Sequence, residues 1–192
     1  MSHWKTQFNL CILVRASNEP NTGGIEINFR IQIALGKFAS MSNLLQNHGI
    51  HLSTRVKFLY SFVRSRLTYS CQNWNLTTAQ FVKLDVTYRT LLRRMVRGGF
   101  NRVNTDGDFR LKIDNEKLHH ICYTEDVSLF IRKQQRNYAG HVVWMPVDRG
   151  IKQLMFNSDK YHRIGKTTPS FLEQVLSENN LTVERFIKLS MK

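Results

Sequence analysis

The sequence predicts a mainly α fold, and three stretches predict it. TTAQ at 77–80 is a capping box ahead of a segment in which Phe81, Leu84, Tyr88, Leu91, Leu92 and Met95 share a stripe about 100° wide. From Ser53, the residues Val56, Leu59, Tyr60, Val63 and Leu67 recur along one side of a second helix. From Thr124, Val127, Phe130, Ile131, Gln134, Tyr138 and His141 do the same for a third.

In chain order, FNLCILV (8–14) is a compact apolar run followed by the turn-forming SNEPNTGG, so residues 1–24 read as an irregular or strand-containing lead-in with a short strand or hairpin. IEINFRIQIAL alternates apolar and polar residues as a half-buried strand does. Ile27, Ile31, Ala34, Phe38, Met41 and Leu45 also recur at helical spacing, over about twice the length, which favours a helix. Ser53 is placed to cap the next helix. The helix over 78–97 follows the box, with Thr77 accepting and Gln80 reaching back, and Gly98–Gly99 stops it. GGFNRVNTDGD reads as a polar connection, and Asp114 caps a short helix over 115–121. Thr124 is placed to cap the long helix, with Glu125 and Asp126 in its first turn, where the dipole favours acids. Behind the loop YHRIGKTTP, Thr168–Pro169 and Thr182 with Glu184 start two short helices, SFLEQVLSENN and ERFIKLSMK.

Twenty-eight Lys and Arg against 14 Asp and Glu leave a net charge of +14. That excess is the footprint of a polyanion binder, nucleic acid first. Arg89, Arg93, Arg94 and Arg97 lie opposite the apolar stripe of their helix, and Lys83 and Asp85 are its only other charges. A solvated face ordinarily mixes both signs, so repeated arginine points to phosphates. No stretch is long and apolar enough to span a bilayer, and FNLCILV lacks a small-residue cleavage site behind it. The cysteines, Cys11, Cys71 and Cys122, are three and widely spaced, which speaks against a disulfide framework and for a reducing interior.

Catalytic chemistry finds little footing. His119, His120 and Cys122 form HHxC without the second paired half of a zinc motif. Cys71 in SCQNW has no general base beside it and reads as packing. DGD at 106–108 reads as a turn, and neither GxxxxGK[ST] nor GxGxxG occurs.

The ordered motifs nevertheless resemble a family: the C-terminal thumb and post-thumb region of the endonuclease-reverse transcriptases of non-LTR (LINE-type) retrotransposons. Its pattern is approximately EIxxRIxxAxxAFxxL, LSxxxKxxLFxSxVxPxLxYGxExWxLT, KLDxFxRRxLRRxxG and RxxRxLGHVxRMP. The matching residues are Glu26, Ile27, Arg30, Ile31, Ala34 and Phe38; Leu52, Ser53, Lys57, Ser61, Val63, Leu67, Tyr69, Trp74, Leu76 and Thr77; Lys83, Leu84, Asp85, Arg89, Leu92, Arg93, Arg94 and Gly98; and Arg132, Arg136, Gly140, His141, Val142, Met145 and Pro146. Their order holds over residues 25–149. The pattern's Gly and Glu in YGxExW are here Ser70 and Gln72, and the Arg before Met145 is Trp144. Fingers, endonuclease and the palm with its paired metal-binding aspartates have no counterpart.

The resemblance implies a helical thumb-like bundle with a short N-terminal strand/hairpin remnant and a small helical C-terminal extension. Residues 1–24 would be the palm-end remnant, 25–100 the thumb-like module, 101–149 a post-thumb basic helical region, and 150–192 a loop and C-terminal helices. It implies a chain non-catalytic on its own that grips RNA, DNA or an RNA/DNA hybrid by its phosphates. Arg89, Arg93, Arg94 and Arg97 would face one strand, and Arg55, Lys57, Arg64, Arg132 and Arg136 would make second contacts. Trp74, Gly140 and His141 are structural in this scheme, with Gly140 permitting close approach and His141 packing or bonding a backbone. No catalytic residue, metal ligand, cofactor or membrane is implied, although the parent polymerase uses Mg. Further partners would be the missing palm and fingers of a full-length element protein, inside the cell, in nucleus or cytoplasm. Two alternatives stay open: a degenerate element remnant with no activity of its own, and a sequence-specific helical DNA-binding or interaction protein.

Overall fold

The computed structural model describes residues 22–96, 102–105, 108–111, 113–156 and 171–190, and within these the chain is mainly helical. The N-terminal strand or hairpin expected before residue 22, Gly98–Gly99 and the Thr168–Pro169 start lie outside the described residues. Two units form: one runs to Tyr69 and resumes over Leu76–Thr124, and the other joins Ser70–Asn75 to the chain from Glu125 onward.

The first unit begins with α1 (Thr22–Ser40) and the short α2 (Ser42–Leu45). The helical register thus prevails over the alternating one, burying Ile27, Ile31, Ala34, Phe38 and Leu45. A strand would have divided these apolar residues between two faces. Next, α3 (Leu52–Phe58), a π-helical segment (Leu59–Arg64) and α4 (Ser65–Leu67) follow without a break. Ser53 is not the cap: His51 occupies that position, its Nδ1 accepting from the Ser53 amide at 3.4 Å and lying 2.7 Å from the Ser53 hydroxyl.

Helix α5 (Thr78–Val96) keeps both halves of the capping box. The Thr77 amide donates to Gln80 Oε1 at 2.8 Å, and the Gln80 amide to Thr77 Oγ1 at 3.4 Å. Its predicted stripe is buried, together with Asp85. Full burial of each Leu or Met there contributes about 1.5–3 kcal/mol. The connection read as merely polar contains an antiparallel hairpin, β1 (Arg102–Thr105) and β2 (Asp108–Leu111), pairing Arg102 with Leu111 and Thr105 with Asp108. Two residues, Asp-Gly, separate the strands, the dipeptide that tight hairpins favour. Asp114 caps α6 (Asn115–Cys122) by accepting from the Lys117 amide at 2.7 Å.

The second unit is built on α7 (Val127–Trp144), joined by the 3-10 turn Cys71–Asn73, α8 (Gly150–Phe156), α9 (Phe171–Glu178) and α10 (Val183–Ser190). Asp126, not Thr124, stands at the α7 cap position. The Thr124 hydroxyl is occupied in the first unit, accepting from the Tyr60 hydroxyl, with Tyr88 Oη 3.4 Å away. The buried face of α7 also differs from the expected one: Val127, Ile131, Gln135, Ala139, Val142 and Val143 point inward. His141, on the expected stripe, is exposed.

The cause is Gln135, whose Nε2 donates to the Trp74 carbonyl at 2.7 Å and so brings a polar residue into the interior. Ala139 and Val143 then pack with Leu172, Val175, Leu176 and Phe186 from α9 and α10. Thr182 caps α10 as predicted, accepting from the Arg185 amide at 3.3 Å. Helix α8 was not expected; Lys152 on it donates to the Val143 and Met145 carbonyls at 2.7 and 2.8 Å, closing the C-terminal end of α7.

Candidate nucleic-acid interface

The arginines of α5 divide by depth. Arg94 is exposed, Arg89 and Arg93 are half-buried, and Arg97 lies outside the described residues. One turn separates Arg89 from Arg93 along the helix. Arg89 Nε donates to its own helix at the Asp85 carbonyl, 3.2 Å. Arg93 Nη2 donates to Asn115 Oδ1 at 2.6 Å, which fixes its guanidinium against the first turn of α6. Its Nε is buried and has no hydrogen-bond partner among the described residues. Burial lowers the pKa of Arg93 below the ordinary arginine value, and the like charge of Arg89 lowers it further. Two cations are therefore held close enough to repel.

Lys57, on α3, is exposed. Arg55 and Arg64 have other work. Arg55 is 5% exposed: Nη1 donates to the carbonyls of Leu45 and Met95 at 3.3 and 2.8 Å, and Nε to that of Ile50 at 3.1 Å. It ties down the carbonyl ends of α2 and α5, where helix dipoles leave partial negative charge. Arg64, 9% exposed, stacks over the Tyr60 ring at 4.6 Å. The burial of both residues is at odds with the expectation that they make phosphate contacts.

In the second unit Arg132 and Arg136 are exposed but engaged with the end of α9 and the turn after it. Arg132 Nε lies 3.7 Å from Glu178 Oε1, and Arg136 Nη1 donates to Asn179 Oδ1 at 2.8 Å. The Arg132 pair is half-buried, with the Arg132 side chain 43% and the Glu178 side chain 17% exposed. Trp74 is buried, and its carbonyl receives Gln135. Gly140 faces α10: a Cβ there would meet Ser190 Oγ at 3.6 Å, an ordinary contact. His141, expected to pack or bond a backbone, instead lines a surface depression with Trp144, Met145, Pro146 and Arg149.

Cys122 is buried, its thiol pushed up to about 11 by burial against an opposing pull from Arg55. Among the described residues no three His, Cys, Asp or Glu side chains gather.

Sequence reasoning missed Asn115 as the partner of Arg93, because nothing local links the first residue of α6 to a helix 22 positions earlier. It noted Trp144 only as a departure from a pattern. Comparison with protein-family models, curated proteins and solved structures finds no match to this chain.

Proposed function

We propose that this chain is a thumb-like module, resembling that of a non-LTR retrotransposon reverse transcriptase, which grips nucleic-acid backbone without sequence preference and without catalysis of its own. The observation that carries the proposal is the pairing of Arg89 and Arg93. An anion between them relieves the like-charge repulsion and leaves the Asn115 bond of Arg93 intact. A phosphate supplies the charge and the oxygens, and Arg94 and Lys57 add exposed cations in the same unit. Ser70 supports the family resemblance: it has φ 61° and ψ 20°, the left-handed conformation glycine favours, where the family pattern has Gly.

The test is the salt dependence of binding to a labelled RNA/DNA hybrid. With about six phosphates neutralised, the slope of log affinity against log salt is near −5, and Arg89, Arg93 and Arg94 changed together to Ala flatten it by about 2.7. A slope near zero in the parent chain refutes the proposal. A second reading, a remnant with no activity of its own, draws on the exposed Ile25 and Phe29 of α1 and Val82 and Val86 of α5, on helices bridged by Lys83 donating to Asn28 at 2.6 Å. Such a face suits a missing covering domain. Absence of binding at low salt favours this second reading.

A further inference from the structure

Trp144 closes α7 with 63% of its surface exposed, although tryptophan is among the more buried residue types on average. Its polar atom is satisfied: Nε1–H donates to the Ser190 carbonyl at the end of α10, at 2.6 Å. A ring anchored in this way loses little entropy on binding and presents an apolar face to whatever lies above it. The chain beyond it is fixed too. Lys152 holds the Val143 and Met145 carbonyls, and the Arg149 amide donates to the Pro146 carbonyl at 3.1 Å.

The result is a shallow depression of about 360 Å³ lined by Trp144, Met145, Pro146, His141 and Arg149. That is the scale of a small planar ligand. An aromatic face, a cation for a phosphate and a ring nitrogen for a base edge are the elements by which proteins hold an unstacked nucleobase. A base inside a duplex has no free face to offer.

We propose that this depression is a single-strand subsite, in which one unpaired nucleobase stacks on Trp144 while Arg149 holds the adjoining phosphate. The inference rests on the nucleic-acid reading above and adds to it a site that distinguishes single strands from duplexes. A protein partner is disfavoured because the two polar groups of the depression are His141 and Arg149, in a chain carrying +14.

The experiment uses the full chain with a fluorescein-labelled oligothymidylate and, in parallel, a blunt hairpin duplex, both read by anisotropy at one salt concentration. Trp144→Leu removes the π-face and Trp144→Phe keeps one; both lose the bond to Ser190, so any loosening of α10 is common to them. Trp144→Leu is expected to weaken single-strand binding by about tenfold or more, with Trp144→Phe within about threefold of the parent and duplex affinity equal in all three. Equal single-strand affinity in Trp144→Leu and the parent overturns the proposal, as does the same loss in both variants or a matching loss on the duplex. Single-strand binding that depends on Trp144 in a chain that ignores the duplex upholds this subsite and refutes the broader backbone-gripping function. Loss of binding to both probes in the parent overturns both.

Discussion

Replacing Arg55 by Ala removes the donor to three carbonyls at once, two of them at the ends of different helices. A hydrogen bond from a charged group is worth about 1.5–3 kcal/mol, and an abandoned buried acceptor costs about 1–3 kcal/mol. Three bonds summed naively exceed the stability of a small domain, but Ile50 is half-buried and water can replace that one donor. The carbonyls of Leu45 and Met95 belong to fully buried residues and have no such relief. The expected loss from these two bonds is therefore about 3–6 kcal/mol. Urea unfolding followed by far-ultraviolet circular dichroism should move the midpoint down by about 1 M or more. Arg55→Lys should recover only part, since one ammonium cannot reproduce the fork that spans these acceptors. The salt slope of hybrid binding should stay unchanged in both variants. A loss below about 1 kcal/mol in Arg55→Ala, or a flattened salt slope, would refute the assignment of Arg55 to structure.

Three further outcomes follow from particular residues. Ser70→Gly should stabilise the chain by about 0.5–1 kcal/mol, because a left-handed Ser costs more than the entropy glycine brings; a lower thermal midpoint sinks that view. Gln135→Ala leaves the Trp74 carbonyl without its donor and should cost about 2 kcal/mol in urea unfolding, whereas a change under about 0.5 kcal/mol means water takes over the bond. Cys122 has a folded pKa of about 11 against an ordinary 9.0, so the folded state holds its proton longer, and its contribution is present below pH 9 and lost as pH rises through 11. Thermal melts of Cys122→Ala across that window should lose less stability than the parent, and parallel curves would remove Cys122 from the alkaline response.

Much of the first unit was legible. The capping box and stripe of α5, the Asp114 cap and the long register of α1 are local signals, and local geometry obeyed them. The failures share a cause, namely partners distant in sequence. Arg55 reads as surface charge unless one knows that the ends of two helices meet over it. The inner face of α7 is displaced because a glutamine finds a carbonyl 61 residues away, which no periodicity reveals. Thr124 reads as a cap in the sequence, whereas its hydroxyl accepts from Tyr60. Of the candidate site, the Arg89–Arg93 face was visible as composition, but the repulsion within it needed coordinates.

The π-helical segment at Leu59–Arg64 bears on how this chain can change in length. A wide turn accommodates one residue more than α winding requires. A one-residue deletion there can be absorbed by closing the turn, with Val56 before it and Leu67 after it still facing the core. The same deletion inside α5 would rotate everything beyond it by about 100° and carry Leu91, Leu92 and Met95 off their contacts. Descendants or ancestors of this sequence should therefore differ by single-residue gaps at 59–64 and not along α5. A shorter form would forfeit the placement of Tyr60 against Thr124 and of Arg64 over Tyr60.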